Sequence, residues 1–246
     1  MLEWPRSCSL GPMARIPRRH IIFETALFHV TWQCHNRDFL LQPRWVKDLL
    51  YDLMLKFKDE FEMTFFSYII MDNHFHVSGQ APDLKKFSRF FQKVHSILAK
   101  EVNKRKKRCG QVIRDRFKSP LIQDEDALCR QMIYHDLNEV RCGKTNDPIN
   151  NELSSYAHYA YGKEDPLITD PPFYLTLGKT AKQRQEAYRA LVLEILVAAP
   201  RKKNGQYTQS LFIGDPEWVE KKYEELKDLR RRIRTGEIEA GQDPPN

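Results

Sequence analysis

The sequence predicts an α+β fold: an antiparallel sheet with helices packed on one face, in the β-α-β-β-α-β-α order of a split-βαβ arrangement. Three observations point there. Leu27–Gln33 and residues 63–71 are apolar runs rich in β-branched and aromatic residues, the composition of strands. Asp72-Asn73 forms a tight-turn pair between the second run and a third, residues 74–79, so those two strands form a hairpin. Two long stretches with apolar residues at helical spacing separate and follow the runs.

Each element follows from its own residues. Pro43 opens the first helix, whose buried stripe is Val46, Leu49, Leu50, Leu53 and Phe57. Asp83 precedes a longer helix over 84–104, with Phe87, Phe90, Phe91, Val94, Ile97 and Leu98 inward and lysines and arginines outward. Residues 111–118 and 121–123 read as extended and add a strand. Asp124 is an N-cap for a helix through Leu128, Met132 and Leu137. Beyond Asp165 the composition shifts: Pro166, Pro171 and Pro172 mark a linker, residues 180–197 read as a helix, and 217–234 as a very charged one. The domain reading is a basic arm over 1–20, a core domain over 21–164 and a helical, charged C-terminal extension over 165–246.

Composition narrows the function classes. The chain has 246 residues, 41% hydrophobic and 30% charged, with a mean hydropathy of −0.62, the balance of a soluble protein. No apolar run approaches the ~20 residues of a membrane span, and the N-terminus lacks the apolar stretch of a signal peptide. Five cysteines without a Cys-x-x-Cys pair read as reduced thiols of a cytoplasmic protein. The net charge of +7 is unevenly spread. Residues 85–118 hold thirteen lysines and arginines against Glu101 and Asp115, a local charge of +11. Such a concentration fits a phosphate backbone, with Lys104, Arg105, Lys106, Lys107, Arg108, Arg114, Arg116 and Lys118 the residues expected to contact DNA. A solvated helix face is the plainer alternative.

The chemistry centres on His74 and His76. Side chains alternate along a strand, so the two imidazoles share a face while Phe75 turns to the core. Such a pair can ligate a divalent metal. Tyr134 and Asn138 lie four apart on the predicted helix and share a face. A phenol with a pKa of ~10 is a poor nucleophile unless its target is polarised. A metal on His74 and His76, with Asn138 supplying an oxygen, would bind a phosphate for in-line attack and suits Mg²⁺ or Mn²⁺. Singly, each residue has a plainer reading: surface histidines, a packing tyrosine, a helix-end asparagine. His29 and His35 flank the first strand and read as structural or DNA-contacting. His135 points about 100° away from Tyr134 on an ideal helix. Trp32, Phe117 and Tyr156 are either core residues or base-stacking platforms.

Met71-Asp-Asn-His-Phe-His76 resembles the signature of the HUH single-tyrosine transposases, usually Met-Pro-Asn-His-x-His. Gly110-Gln-Val-Ile-Arg-Asp-Arg-Phe-Lys118 is similar to the Gly/Arg/Phe-Lys block after their basic helix. Tyr134-His-Asp-Leu-Asn-Glu-Val-Arg-Cys-Gly143 resembles their Tyr-Ile-x-Leu-Asn-Pro-Val-Arg-Ala-Gly block. Ser154-Ser-Tyr156, Gly162, Pro166-Leu167 and Ala187-Tyr-Arg-Ala-Leu191 continue the likeness to the REP-associated tyrosine transposases, over about residues 13 to 199. Asp72 and Glu139 depart from the pattern, each standing where the family has proline.

The resemblance implies an HUH ferredoxin-like core and an enzyme acting on single-stranded or hairpin DNA with REP-like palindromes. His74 and His76 would be the metal ligands and Asn138 the third metal-contacting position. Tyr134 would attack the scissile phosphate to give a 5′-phosphotyrosine and a free 3′-OH, and a second 3′-OH would rejoin the strands. It also implies a monomer, with a dimer that exchanges tyrosine helices as the alternative. Rival functional readings are a hairpin-binding regulatory protein that does not transpose, and an HUH replication initiator or relaxase.

Overall fold

The computed structural model describes residues 18–20, 25–198 and 206–237. Its centre is a five-stranded sheet in the order β2-β3-β1-β4-β5. The strands are β1 (Leu27–Gln33), β2 (Thr64–Ile70), β3 (His74–Gln80), β4 (Leu121–Ile122) and β5 (Phe212–Ile213). β3 pairs antiparallel with both β1 and β2, and β4 runs antiparallel to β1. The helices are α1 (Arg44–Lys58), α2 (Leu84–Arg105), α3 (Glu125–Asp136), α4 (Asn138–Arg141), α5 (Tyr156–Tyr161), α6 (Pro172–Thr176), α7 (Ala181–Ala198), α8 (Gln206–Gln209) and α9 (Pro216–Arg234).

The fold class expected from the sequence stands, with three corrections. First, the sheet is mixed: β5, from the C-terminal extension, lies parallel to β4. Second, helices cover both faces. Phe28, on one face of β1, meets Phe87 and Phe91 of α2 at centroid separations of 4.8 and 6.1 Å. His29, the next residue, faces the other way and meets His135 of α3 at 5.0 Å. Third, residues 111–118 form no continuous strand. They touch the sheet through two isolated bridges, Cys34 with Ile113 and Thr31 with Lys118, because the Arg-Asp-Arg segment between them is exposed on all three side chains.

The two faces differ in chemistry, and this positions the site. On one, edge-to-face contacts join Phe28, Phe87, Phe90 and Phe91, all fully buried; each such ring stabilises the fold by about 1.5–3 kcal/mol through burial. Trp32 and Phe117 on this face, and Tyr156 of α5, are all buried at 5–9% exposure, which removes them as base-stacking platforms. On the other face the register sets Ser67, Ser78 and His29 in one row, and Ile69, His76 and Thr31 in the next. That buried face is polar, and α3 packs on it.

Local capping explains the helix starts. Asp83 accepts from the Lys86 amide at 2.7 Å and Asp124 from the Ala127 amide at 2.9 Å, each satisfying a donor that the first helical turn leaves unpaired. The extension joins the same core: Leu167, Tyr174, Tyr188, Phe212 and Leu226 are buried with the sheet residues. Asp165 holds it to the core by accepting from the Tyr51 and Tyr68 hydroxyls at 2.7 and 2.8 Å. Of the basic arm, Arg18–His20 lies within the described residues. Arg18 sits 3.6 Å over the Phe117 ring and donates to the Phe117 carbonyl at 2.7 Å.

Gly79 marks a close approach between β3 and β2. A Cβ there would collide with the Thr64 carbonyl oxygen, which is backbone and cannot swing away, and would press on the Phe28 ring. Gly79→Ala is expected to destabilise the fold by about 1–3 kcal/mol, as overpacking does, read as a lowered denaturation midpoint. An unchanged midpoint would show that the strand pair can spread at little cost.

Candidate active site

β3 carries His74 half-buried and His76 at 2% exposure, with ring centroids 5.2 Å apart. Both imidazoles face α3, as the alternation predicts. The Nδ1 of His74 is held by the Asn73 Oδ1 at 2.7 Å. The Nδ1 of His76 is held by His29 Nε2 at 2.9 Å. Each ring is therefore fixed through Nδ1, the pattern by which a neighbouring group orients an imidazole for ligation through Nε2. Burial, and then the neighbouring rings of His29, His74 and His135, hold the His76 pKa well below the ordinary value. It is neutral at physiological pH, as a ligand must be.

Tyr134 reaches this pair from α3. Its ring lies 6.3 Å from that of His76, edge to face. The side chain is only 6% accessible. The Tyr207 ring of α8 covers it at 4.4 Å, and the Arg141 guanidinium sits 4.5 Å over its face. Burial raises the Tyr134 pKa, while Arg141 pulls it down. The sequence reading does not single out Arg141, although a cation two turns beyond a tyrosine is the available signal.

Tyr134 and Asn138 do not share one continuous helix. The chain leaves helical geometry at Leu137 (φ −85°, ψ 2°), and Asn138 opens α4. The Tyr134 carbonyl explains the break. It accepts from the Asn138 Nδ2 at 3.1 Å and from Arg141 Nη1 at 2.7 Å, side-chain donors in place of the backbone N–H of a regular helix. Asn138 is 5% exposed.

Two further imidazoles, His29 and His135, lie outside the His-x-His motif and close on His76. His29, His76 and His135 are all buried, with nitrogen atoms within 4.8 Å of one another. His135 is closed on both edges, by Ser67 Oγ at 2.8 Å and Gln131 Nε2 at 2.7 Å. Pointing away from Tyr134 around α3, as helical geometry requires, it becomes part of the contact between helix and sheet.

The two departures from the family pattern meet in space. Asp72, in the turn before His74, pairs with Lys47 at 2.8 Å and Lys144 at 2.7 Å. Lys144 also pairs with Glu139 of α4 at 3.2 Å. Burial opposes ionisation of Asp72, but the two ammonium groups outweigh it and hold its pKa below the usual value. Both carboxylates are thus turned to lysines. Lys144→Ala would leave Glu139, whose side chain is 9% exposed, without this partner. Because the lysine side chain is 44% exposed, screening limits the expected loss to about 1 kcal/mol. Urea denaturation checks it, and equal midpoints would show that the ion pairs contribute nothing.

The basic loop borders the same end of the sheet. The Arg114 amide donates to the Gln33 carbonyl at 2.9 Å, and Gln33 is the register partner of His74. Lys118 bridges Thr31, and Thr31 is opposite His76, so Lys118 and His76 project from the same face two strands apart. Lys104, Arg105, Lys107, Arg114, Arg116 and Lys118 are exposed, whereas Lys106 and Arg108 are half-buried. Arg108 is tied to Asn103 and the Gln111 carbonyl at 2.9 and 3.1 Å.

The structure thus brings two imidazoles of one strand to face a tyrosine on the helix packed over that strand. Residues 23–118 match the family model described as "Transposase IS200 like", so this segment is similar to an IS200-like transposase domain. The match contains His74, His76 and the basic stretch and ends before Tyr134. Among solved structures, a REP-associated tyrosine transposase bound to a REP hairpin shares the fold. Its TM-score is 0.51 at 16% identity, covering 65% of this chain and 93% of that one. No curated protein matches the chain in sequence.

Proposed function

We propose that this protein is a metal-dependent single-strand DNA endonuclease and strand transferase in which Tyr134 is the nucleophile. The observation that carries the reading is the approach of the Tyr134 ring to His76, 6.3 Å between centroids, with Arg141 over the phenol. Tyr134 Oη forms a bond to phosphorus as the bond to the 3′-oxygen breaks, giving a 5′-phosphotyrosine and a 3′-OH. Attack by another 3′-OH reverses the step and rejoins DNA. Arg141 stabilises the developing phenolate, and the Tyr207 ring must shift for a phosphate to reach the hydroxyl.

The donor set fits Mg²⁺ or Mn²⁺: two imidazoles oriented through Nδ1, with the Asn138 amide oxygen as a third donor. When bound, the ion polarises the scissile phosphate. REP-like hairpin DNA is the proposed partner, because the fold is shared with a hairpin-bound transposase and the basic loop borders the His74 end of the sheet. The proposed organisation is an arm over 1–20, a catalytic core over 21–164 and an extension over 165–246 that covers Tyr134, acting as a monomer. No helix among the described residues is long and apolar enough to cross a membrane, and the proposed place of action is wherever the cell's DNA lies.

Incubation with labelled single-stranded hairpin DNA and Mn²⁺ or Mg²⁺, followed by a denaturing gel, tests the reading. A covalent adduct is expected. A shifted band on a native gel with no adduct would instead favour the hairpin-binding regulator. Neutralising Lys104, Arg105, Lys106, Lys107 and Arg108 is expected to weaken binding and flatten its dependence on salt. The log–log slope should fall by roughly 0.7–0.9 for each phosphate that the patch no longer neutralises. An unchanged slope would remove this patch from the DNA footprint.

A further inference from the structure

We propose that His29 is a positioning residue for the metal centre: it accepts the Nδ1 proton of His76 and so leaves the Nε2 lone pair of His76 for the metal. The inference rests on the reading of His74 and His76 as ligands. It assigns a role to a residue outside the His-x-His motif.

The geometry constrains the pair tightly. His29 lies on β1 at 0% exposure. Its ring lies edge to edge with that of His76, nearly coplanar at 13° with centroids 5.2 Å apart, and its Nε2 is 2.9 Å from His76 Nδ1. A neutral imidazole carries one proton, so a single hydrogen occupies this contact. If His76 donates, its Nε2 is a lone pair and can ligate. If His29 donates, the Nε2 of His76 bears the proton and cannot. The arrangement that serves a metal therefore needs an acceptor at His29, and among the described residues His29 is the hydrogen-bond partner of His76 Nδ1. Ligating histidines give their second N–H to such an acceptor as a rule.

Two orphaned polar groups beside this contact bear on that role. Its other nitrogen, Nδ1, is buried without a partner among the described residues, and so is the Ser78 hydroxyl. Ser78 is the register partner of His29, and directly opposed residues have Cβ atoms about 4.5–5.5 Å apart. The proposed tautomer puts the His29 proton on Nδ1, with the Ser78 hydroxyl opposite it in register as the acceptor it would need; the two are not hydrogen-bonded in this structure. The rival arrangement has His29, His76 and His135 holding an ion between them. It would require His135 to give up Ser67 or Gln131, its two present partners.

The full-length protein tests this without reference to activity. Nitrogen-15 NMR of the metal-free protein is expected to show the His76 proton on Nδ1; a proton on Nε2 would overturn the proposal. Calorimetric titration with Mn²⁺ is expected to show about a 10–100-fold loss of affinity in His29→Leu. His29→Gln, whose amide oxygen falls near the position of Nε2, is expected to recover most of it. Equal affinity in wild type and a folded His29→Leu would also overturn the proposal. So would an equal loss in His135→Gln, since that marks the inner triad as the binding site. Wild-type protein that binds no Mn²⁺ would sink the metal reading itself, while the NMR assignment would still decide the tautomer.

Discussion

Tyr134→Phe is expected to abolish the covalent DNA adduct, a loss of roughly 10³-fold or more, as removal of a nucleophile produces. The substitution deletes one oxygen and keeps the ring. Contacts with Tyr207 at 4.4 Å, His76 at 6.3 Å and the Arg141 guanidinium at 4.5 Å all involve that ring. The carbonyl that holds Asn138 and Arg141 belongs to the backbone. The variant should therefore fold and bind hairpin DNA like the wild type, so that a missing adduct reports chemistry and not unfolding. The denaturing-gel assay decides it, with native-gel binding as the control. An adduct that survives in Tyr134→Phe would transfer the role of nucleophile to another group.

A second large effect is expected at Asp136, which anchors the tyrosine helix from its far side. Its carboxylate is 2% exposed and accepts from the Tyr188 hydroxyl of α7 at 2.6 Å, while Oδ1 has no partner among the described residues. Burial raises its pKa from 3.8 to about 7, against the opposing pull of the Tyr188 hydrogen bond and the Arg141 charge. The folded state therefore binds this proton more tightly than the unfolded chain does. That contribution is fully present below about pH 4, declines as pH rises, and is gone above about pH 7. At ~1.4 kcal/mol per pKa unit the decline is on the order of 4 kcal/mol. Asp136→Asn keeps an acceptor for Tyr188 and removes the ionisation. Its stability relative to wild type is expected to climb between pH 4 and 7 and then level off. Thermal melts across that range check it, and a constant difference would show that Asp136 ionises freely in the folded protein.

Much of the site was legible because it is written in short-range patterns. The His-x-His alternation puts both imidazoles on one strand face whatever the rest of the chain does. Asp83 and Asp124 cap the helices they precede because the cap is a contact over three residues. The strand at Leu27–Gln33 and the helix starting at Arg44 needed only composition and Pro43. Three features were hidden for a common reason. Residues 111–118 have the composition of a strand, but whether an extended segment pairs is decided by the edge it meets, here at two isolated bridges only. The helix through Leu137 has a continuous apolar pattern, but the Tyr134 carbonyl is claimed by the side chains of Asn138 and Arg141. β5 was invisible because two residues, Phe212 and Ile213, carry no periodicity.

The sequence by itself determined the α+β class, the two histidines of the motif, the candidate tyrosine and the concentration of charge over 85–118. These depend on residue type and on repeats of two or about four residues, which the chain carries locally. Tertiary structure alone decided which groups meet across long separations. It brought His29 to His76 and Tyr207 to Tyr134, joined Asp72 to Glu139 through Lys144, and set the polar face of the sheet beneath the tyrosine helix. Such contacts depend on strand register and on how helices pack over the sheet, and neither is encoded in any single stretch of the chain.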